Sequence, residues 1–399
     1  MRAAFLTACV LLAGAFDAGS PVQAPVRPSP DPSQRFSTLT AITPSNVARL
    51  TVAWTAHTGE FAGGRGRNPG RPVPGFQTRP VLAGDRLIIT TTTSKVIAID
   101  PETGGEIWRF DPFAQRRRTC EAPHRGVALW PAAAPPDAEL TVISGTCDGR
   151  LVALDARTGR PRTSFGDGGE LDLRPGADAR DGEEYAVTTP PAIAGDLVIV
   201  GTALPEGTPQ GPSGDVRAFD VRTGREVWRF HTVPRDGESG ADTWSQGARE
   251  RRTGVNAWSG ITVDHERGLV FVPLGSPAYD FYGGDRAGRN LYGNALVALD
   301  ARTGRPRWHQ QLVHHDIWDY DLPAAPILVD IERGGRTIPS VVQLTKMGLV
   351  FVFDRTTGEP VFGIEERPVP QSRVPGEQTW PTQPFPVKPP PLSRITPLT

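Results

Sequence analysis

Apolar and polar residues alternate in short runs along most of the chain, and turn residues separate the runs. Typical runs are DRLIIT (85–90), LTVISG (140–145), DLVIVG (196–201) and GLVFVPLG (268–275). Short apolar or alternating runs bounded by glycine and other turn residues are typical of β-strands, and long stretches with a helical period are hard to find. The pattern therefore predicts an all-β protein.

A turn signature of the form D-x-x-T-G follows an apolar run five times. The five stretches are VIAIDPETGGEIW, LVALDARTGRPRTSF, VRAFDVRTGREVW, LVALDARTGRPRW and VFVFDRTTGEPVF, with their aspartates at positions 100, 155, 220, 300 and 354. Asp and Thr side chains can bond the local backbone while Gly takes a positive φ, so each signature predicts a tight turn between two strands. A bulky residue, usually Trp, stands four positions after the glycine and is suited to packing between neighbouring sheets.

This repeat predicts a β-propeller rather than a β-sandwich with recurring hairpins. Successive signature aspartates lie 55, 65, 80 and 54 residues apart, which leaves room for four strands per unit and loops of unequal length. One signature per unit is typical of propeller blades, and binding sites usually lie on the loops. A sandwich does not explain five copies of one signature.

The N-terminus predicts export to the periplasm. Arg2 precedes an apolar run, Ala3–Ala15, with small residues after it for cleavage. That run is too short to span a bilayer, and no other segment approaches ~20 apolar residues, so no transmembrane segment is expected beyond the signal. The predicted boundaries are 1–24 for the signal peptide, 25–35 for a disordered leader, 36–366 for a partial propeller and 367–399 for a Pro-rich irregular segment.

Charge and cysteine content narrow the possible partners. The net charge is −1 without a block of like charges, so no nucleic-acid partner is indicated. Cys120 and Cys147 follow the predicted signal, and a disulfide between them suits an oxidising compartment, although sequence does not show whether they are close in space. The sequence has no C-x-x-C-H motif, so no covalent haem is expected on this chain.

The densest group of chemically active residues is HHDIWDYDLP (314–323), which holds two histidines, three carboxylates and two aromatics. Lys346 follows Asp319 by 27 residues and is conspicuous because only three of the 43 cationic residues are lysines. His314 and His315 could suggest zinc, but adjacent residues of a strand point to opposite faces and chelate poorly.

Several stretches, taken in order, resemble the PQQ-dependent (quinoprotein) dehydrogenases, specifically their glucose-dehydrogenase-like branch. They are TPSNVARLTVAWTAHTGE, HRGVALW, the D-x-x-T-G repeats, VNAWSG, SPAYDFYGGDR, HHDIWDYDLP, TKMGLVFVFDRTTGEPVF and PTQPFPVKPPP. The resemblance covers nearly the whole chain after the signal. It implies an eight-bladed propeller that carries pyrroloquinoline quinone (PQQ) and a Ca²⁺ or Mg²⁺ ion on its axis.

The resemblance also implies roles for residues of the matching stretches. Asp319 matches the catalytic aspartate that takes the substrate hydroxyl proton, with Asp316 and Asp321 as local competitors for this role. Lys346 matches the cation that bonds the quinone oxygens, and Trp258 matches the tryptophan that stacks on the quinone. A flat tricarboxylate needs such an aromatic platform and cationic partners.

Further matches concern the cofactor carboxylates and the metal. Arg125 of HRGV matches an arginine that binds a cofactor carboxylate, and Cys120 stands near it in the cofactor-binding set. Glu206 looks like the metal-ligating carboxylate and is joined by Asp319 and by Ser276, which replaces an asparagine of some relatives. Hard carboxylate oxygens suit Ca²⁺ or Mg²⁺. The bland alternatives are an ordinary inter-blade tryptophan for Trp258 and a solvated loop charge for Glu206.

Two further features depart from the family pattern. Alcohol-oxidising relatives carry adjacent cysteines where this sequence reads Thr119-Cys120, so the corresponding disulfide ring is not expected. Five blade signatures and an N-terminal strand that should close the last blade leave about three of the family's blades unaccounted for. We therefore expect a chain truncated relative to the family, with two exposed sheet edges.

The sequence thus predicts an exported PQQ-dependent dehydrogenase that oxidises a glucose-like aldose or another alcohol. Electrons would pass to ubiquinone or a cytochrome. The alternative is a non-catalytic propeller of the same repeat that binds proteins as an envelope assembly scaffold. Such a scaffold should lack the charged residues expected at the axis.

Overall fold

Strands form nearly all of the regular structure in the computed structural model, which describes residues 39–60, 75–116, 119–131 and 139–393. Four antiparallel sheets follow one another along the chain, and each is a meander of four consecutive strands. Sheet 1 contains β1 (Val81–Ala83), β2 (Arg86–Thr90), β3 (Val96–Ile99) and β4 (Glu106–Phe110), and sheet 2 contains β5 (Ala128–Trp130), β6 (Thr141–Gly145), β7 (Arg150–Asp155) and β8 (Glu170–Asp172). Sheet 3 contains β9 (Ala192–Ala194), β10 (Leu197–Val200), β11 (Val216–Asp220) and β12 (Glu226–Phe230). Sheet 4 contains β13 (Thr262–Asp264), β14 (Leu269–Pro273), β15 (Ala295–Asp300) and β16 (Pro306–Gln311). The predicted all-β fold is confirmed.

The last two groups of strands depart from this plan. Sheet 5 has three strands, β17 (Ile327–Arg333), β18 (Arg336–Leu344) and β19 (Val350–Asp354). A separate hairpin pairs β20 (Ile364–Pro368) with β21 (Thr382–Pro386). Three short 3-10 turns complete the regular elements of the described residues, at Val47–Arg49, Pro175–Ala177 and Ala241–Thr243.

Each D-x-x-T-G signature forms the predicted turn after the third strand of its sheet. In sheet 4, Asp300 Oδ1 accepts bonds from the backbone of Arg302 at 3.1 Å and of Thr303 at 3.0 Å. The N–H of Gly304 donates to the Asp300 carbonyl at 2.9 Å, and Gly304 has φ +68°. Because that φ is unfavourable for residues with a Cβ, the glycine is required by the turn itself.

Three of the five signature glycines also receive a tryptophan from the preceding sheet. The ring of Trp228 in β12 lies so close to Gly304 that an added Cβ would come within 2.4 Å of it. Its Nε1 donates to the Ala301 carbonyl at 3.0 Å. Equivalent contacts join Trp108 to sheet 2 and Trp308 to sheet 5, with Nε1–O distances of 3.1 and 2.9 Å. The prediction that the bulky residue packs between sheets is confirmed for Trp108, Trp228 and Trp308, whereas Gly224 has Leu171 rather than a tryptophan beside it.

Trp54 makes the same contact at the start of the described chain. Its Nε1 donates to the Pro101 carbonyl at 3.0 Å, and its ring lies 2.6 Å from the position of a Cβ on Gly104. No strand forms at 52–54, where the sequence predicted one. A strand needs a hydrogen-bonded neighbour, and the described residues beside 52–54 provide only the face of sheet 1.

Apolar side chains fill the spaces between successive sheets from both faces of each strand. In β3, Val96 and Ala98 pack towards sheet 2, whereas Ile97 and Ile99 pack on the opposite face near Trp54. This explains why the third strands are continuous apolar runs rather than alternating ones. In β19, Val350 and Val352 form the outer face of sheet 5.

The C-terminal region contains more regular structure than the sequence predicted. The segment 367–399 was expected to be irregular, but Thr382–Pro386 forms β21 in full register with β20. Gln383 exchanges two hydrogen bonds with the backbone of His314, at 2.8 and 2.7 Å. Proline-rich composition hid this strand, because an edge strand tolerates proline where a central one does not.

Cys120 and Cys147 form a disulfide, with Cα atoms 5.8 Å apart. The predicted signal peptide and leader, 1–24 and 25–35, lie outside the described residues. Within the described residues, no helix has the length and apolar character needed to cross a bilayer.

Candidate active site

The loop after β16 carries most of the candidate chemistry and is held by the carboxylate of Asp316. Asp316 is buried, and it accepts bonds from the backbone of Trp318 at 3.0 Å and of Tyr320 at 2.7 Å. It also accepts bonds from the Asn294 amide at 2.9 Å and from the Ser276 hydroxyl. Because both oxygens hold the loop, Asp316 is a poor competitor for the role of base.

Asp319 lies on this loop with φ 59°, in the left-handed region that residues other than glycine rarely adopt. Its Oδ1 accepts a bond from Lys346 Nζ at 2.6 Å. The same ammonium donates to Asp321 Oδ2 at 3.0 Å. The structure thus brings together the candidate base, the candidate lysine and a second carboxylate. Backbone strain of this kind is concentrated at functional sites.

Asp321 connects the remaining parts of the site. Its Oδ2 accepts a bond from Trp258 Nε1 at 3.0 Å, and its Oδ1 accepts one from the Ser276 backbone at 2.6 Å. The side chain is 6% exposed, against 21% for Asp319. Asp321 is therefore committed to orienting its neighbours, and Asp319 is the more accessible carboxylate.

The Trp258 indole ring carries cations over its face. The guanidinium carbon of Arg125 lies 5.0 Å from the ring centroid, and Lys346 Nζ lies 5.7 Å from it. Both distances are within the range of cation–π attraction. Arg125 also donates to the Thr188 hydroxyl at 3.0 Å. In this structure the guanidinium lies over the ring on which a flat cofactor would stack.

A cavity of about 800 Å³ surrounds these groups. That volume lies within the range of small-molecule sites. Asp319 contacts Lys346 at the cavity wall without lining the cavity itself. The other six predicted site residues all line it, and they are Cys120, Arg125, Glu206, Trp258, Ser276 and Lys346.

The predicted metal ligands differ in their availability. Glu206 is exposed and has no hydrogen-bond or ion-pair partner among the described residues, so its carboxylate is free to ligate. The Ser276 hydroxyl donates to Asp316 and accepts a bond from Asn294 at 3.0 Å, which leaves it one lone pair. The metal role of Ser276 stays a prediction, and its hydroxyl group already makes two hydrogen bonds.

The two adjacent histidines do not form a metal site. His314 bonds the Glu366 carboxylate at 2.9 Å, whereas His315 bonds the Gly288 carbonyl at 2.8 Å and Asn290 at 2.9 Å. Their rings thus contact different partners and have structural roles. Among the described residues, no three His, Cys, Asp or Glu side chains are grouped closely enough to hold an ion.

Burial makes Asp319 and Asp280 harder to ionise than ordinary carboxyl groups. Burial raises the pKa of Asp319 to about 6, with Asp321 acting in the same direction and Lys346 opposing. Burial would lower the pKa of Lys346, but Asp321 and Asp319 raise it, so the ammonium stays charged. Burial also raises the pKa of Asp280, to about 8, assisted by the surrounding carboxylates. The cavity lining holds more acidic than basic side chains, and the raised pKa values reflect their mutual repulsion and burial.

These residues fit the group implied by the family resemblance. One side of the cavity offers a flat indole and two cations, which suit an aromatic polyanion such as PQQ. The carboxylate-rich side suits a divalent cation. Because no three carboxylates converge, such an ion would take further oxygen ligands from the cofactor or water. Arg125 would have to leave the face of Trp258 to admit a stacked ring.

Sequence reasoning missed several contributors. It treated Asp321 only as a competitor of Asp319, and it did not consider Asp280, Asn256 or Asn294. Asn256 and Asp280 line the cavity, and Asn294 bonds both Ser276 and Asp316. The available signal was position, since these residues lie in or near VNAWSG and SPAYDFYGGDR, stretches that already carried predicted site residues.

The chain has clear relatives of known class. Residues 29–398 match the family model described as the beta-propeller domain of glucose/ethanol/alcohol dehydrogenases with PQQ. The glycerol dehydrogenase large subunit of Gluconobacter thailandicus is 35% identical over 91% of this chain and 49% of the relative. Quinoprotein glucose dehydrogenase A of Acinetobacter calcoaceticus is 34% identical over 88% of this chain and 46% of the relative.

Solved structures agree with these matches. The quinohemoprotein alcohol dehydrogenase of Comamonas testosteroni superposes with a TM-score of 0.69 at 28% identity, covering 89% of this chain and 50% of that chain. The chain spans about half the length of the curated relatives it matches. The predicted propeller type and the predicted resemblance are both confirmed. The chain belongs to the family of PQQ-dependent dehydrogenase β-propellers.

Proposed function

We propose that the chain oxidises the CH–OH group of a sugar, such as a glucose-like aldose, or of another alcohol, with PQQ and a Ca²⁺ or Mg²⁺ ion. The observation that supports this most is the connected set formed by Lys346, Asp319, Asp321 and Trp258. It lies where a substrate hydroxyl could meet both a carboxylate base and a cation. Relatives named as glycerol, glucose and quinate dehydrogenases are consistent with a hydroxyl substrate.

The chain's own residues divide the work. Bound PQQ would supply the two-electron acceptor for the hydride, with the divalent ion polarising it. Asp319 takes the hydroxyl proton, because it is the more exposed of the two carboxylates that Lys346 bonds and its elevated pKa makes it a stronger base than an ordinary carboxylate. Lys346 keeps a positive charge where negative charge develops. Trp258 and Arg125 hold the flat anion.

Location and electron transfer belong to the same proposal. We place the chain in the periplasm because its N-terminus is predicted to be a signal peptide. The two electrons would then pass to ubiquinone or a cytochrome. The scaffold alternative predicted that no charged set would gather at the axis. The structure instead gathers Arg125, Glu206, Asp321 and Lys346 around one cavity, which favours an enzyme.

The test is a titration of the purified protein with PQQ in the presence of Ca²⁺ or Mg²⁺, followed by turnover with sugars and alcohols and an artificial electron acceptor. Asp319→Asn should bind PQQ normally and lose roughly 100-fold or more of kcat, the contribution expected of a general base. Asp85→Asn, whose side chain is 78% exposed on the β1–β2 turn, should keep full activity. Unchanged turnover in Asp319→Asn would remove Asp319 from the proposed role.

A further inference from the structure

Asp280 is a buried acid without a partner. It lies in the loop between β14 and β15, four residues after Ser276, and is 4% exposed. Its side chain lines the same cavity as Asn256, Ser276 and Asp321. Among the described residues, it has neither a hydrogen bond nor an ion pair. Burying a carboxylate without compensation is costly, so this position calls for a positive charge.

The neighbouring protein cations do not bond the Asp280 carboxyl group. Lys346 is already shared between Asp319 and Asp321. Arg286 is fully buried, but it donates to the backbone carbonyl of Asp316 and to the Asn290 amide oxygen. Among the described residues no cation bonds Asp280 directly, and Arg286 acts on it only through space, so this side of the cavity has an imbalance of acidic groups over bonded cations.

The residues around Asp280 increase this imbalance. Asp321, Glu206 and Asp319 all act electrostatically on its carboxyl group and oppose its ionisation. Glu206, the predicted metal ligand, faces the same cavity without a partner. A hard divalent cation among these oxygens would satisfy Asp280 and Glu206 together.

Ser276, by contrast, is poorly suited to complete a metal site. Its hydroxyl donates to Asp316 and accepts a bond from Asn294, and its backbone N–H donates to Asp321. A neutral hydroxyl with one remaining lone pair is a weak ligand beside an unpartnered carboxylate four residues away.

We propose that Asp280 is a ligand of the divalent cation and supplies the oxygen that the Ser276 hydroxyl cannot. This rests on the proposed function, since the ion is the one that accompanies PQQ. Ca²⁺ takes six to eight oxygen ligands, so Asp280 and Glu206 would be joined by amide, water and cofactor oxygens. The metal role assigned to Ser276 then becomes indirect, through its bonds to Asp316 and Asp321.

The first test uses Tb³⁺ alone as a luminescent substitute for Ca²⁺. Excitation of tryptophan should sensitise Tb³⁺ emission in the wild type, because Trp258 lines the same cavity. Added Ca²⁺ should displace the signal. Asp280→Asn should weaken Tb³⁺ binding roughly tenfold or more, at least the loss typical of a residue that supports a metal ligand. Asp236→Asn, whose side chain is 94% exposed, should bind Tb³⁺ as the wild type does.

Thermal melting provides a second readout that does not depend on luminescence. Without metal, Asp280→Asn should melt no lower than the wild type, because the substitution replaces a buried carboxyl group that has no hydrogen-bond partner to lose. With millimolar Ca²⁺ the wild type should gain melting temperature, and Asp280→Asn should gain much less. A merely structural aspartate would give the opposite result, with the variant less stable under both conditions.

The outcomes separate this inference from the proposed function. Tb³⁺ binding that depends on Asp280, together with no PQQ binding at any metal concentration, would support the ligand and reject the quinoprotein activity. Equal Tb³⁺ affinity in the wild type and Asp280→Asn would overturn the inference, even if PQQ binds and turns over. Failure of the wild type to bind Tb³⁺ displaceably would overturn it as well.

Discussion

At the scale of the residue, the three aspartates of the HHDIWDYDLP loop differ in what they bond rather than in type. Asp316 holds the loop backbone, Asp321 orients Trp258 and Ser276, and Asp319 bonds Lys346 and interacts with Asp321. The sequence identified the stretch through its resemblance to a family. It could not rank the three carboxylates by physical reasoning, because their availability depends on a left-handed backbone at Asp319 and on residues 25 or more positions away.

The Trp258–Asp321 hydrogen bond can be tested by a substitution that keeps the aromatic ring. Trp258→Phe retains a stacking surface but removes the N–H that bonds the carboxylate at 3.0 Å. Hydrogen bonds to charged groups contribute about 1.5–3 kcal/mol, so PQQ affinity should fall roughly tenfold as the orientation of Asp321 is lost. Calorimetric titration with PQQ and Ca²⁺ measures this.

Trp130→Phe is the matched control. It removes an indole N–H that bonds the Gly195 carbonyl, and Trp130 does not line the cavity. PQQ affinity should stay at the wild-type value. Equal affinities for all three proteins would mean that the Trp258 N–H makes no contribution to the site.

At the scale of the element, local chemistry explains why the turns were predictable. Asp, Thr and Gly of each signature satisfy one another within five residues, so no distant contact is needed to specify the turn. The hairpin of β20 and β21 was not predictable in the same way. The hairpin is fixed by hydrogen bonds between Gln383 and His314, which are 69 residues apart. Its proline-rich composition is otherwise typical of a loop.

The glycine–tryptophan contact leads to a prediction about packing. Gly304→Ala should lose stability twice, through a positive φ and through a Cβ that would lie 2.4 Å from the Trp228 ring. The conformational cost is about 1–2 kcal/mol, and overpacking adds about 1–3 kcal/mol. Urea unfolding at constant m-value measures the total.

Gly268→Ala isolates the conformational part of that cost. Gly268 has φ +63°, but a Cβ there would have no neighbour within 4 Å. It should lose only the conformational share of the free energy of unfolding. If Gly304→Ala were no more destabilising than Gly268→Ala, the tryptophan contact would be looser than the structure indicates.

At the scale of the whole molecule, the sequence indicated repeated sheets but not how distant parts are fastened. The disulfide from Cys120 to Cys147 joins residues 27 positions apart, and sequence left that pairing open. Two apolar faces, one near Trp54 on sheet 1 and one near Val352 on sheet 5, also emerge only from the packing. When a strand is apolar on both faces, its sequence does not show which face packs against which neighbouring sheet.

The pH dependence of stability is a property of the whole molecule to which two buried histidines contribute, while the raised pKa values of Asp280 and Asp319 act in the opposite direction. Burial lowers the pKa of His124 and of His315 to about 4, against 6.5 ordinarily. Both are neutral when folded, so the unfolded chain binds more protons at these two sites between pH 6.5 and 4, and their contribution to stability is lost as pH drops through that window. Each histidine corresponds to roughly 3 kcal/mol over the full window. Melting temperatures recorded from pH 7.5 to 4 measure the loss.

His124→Gln should remove the His124 share of that pH dependence. The Gln side chain can still bond the Gly145 carbonyl that His124 contacts at 2.9 Å, but it has no proton to gain. The exposed His57 serves as the comparison, and His57→Gln should leave the profile unchanged. A profile as steep in His124→Gln as in the wild type would locate the acid sensitivity elsewhere.

The tryptophan that docks on the next glycine also bears on how such a chain could change during evolution. Each contact between a tryptophan and a D-x-x-T-G turn uses only a few residues, whereas the intervals between signatures vary from 54 to 80 residues. The longest interval, from Asp220 to Asp300, contains Trp258, Ser276 and Asp280. Selection for a new substrate or metal can therefore act on the loops without disturbing the contacts between the sheets. Within one repeat, the loops can vary in sequence while the turns and tryptophans keep the sheets packed together.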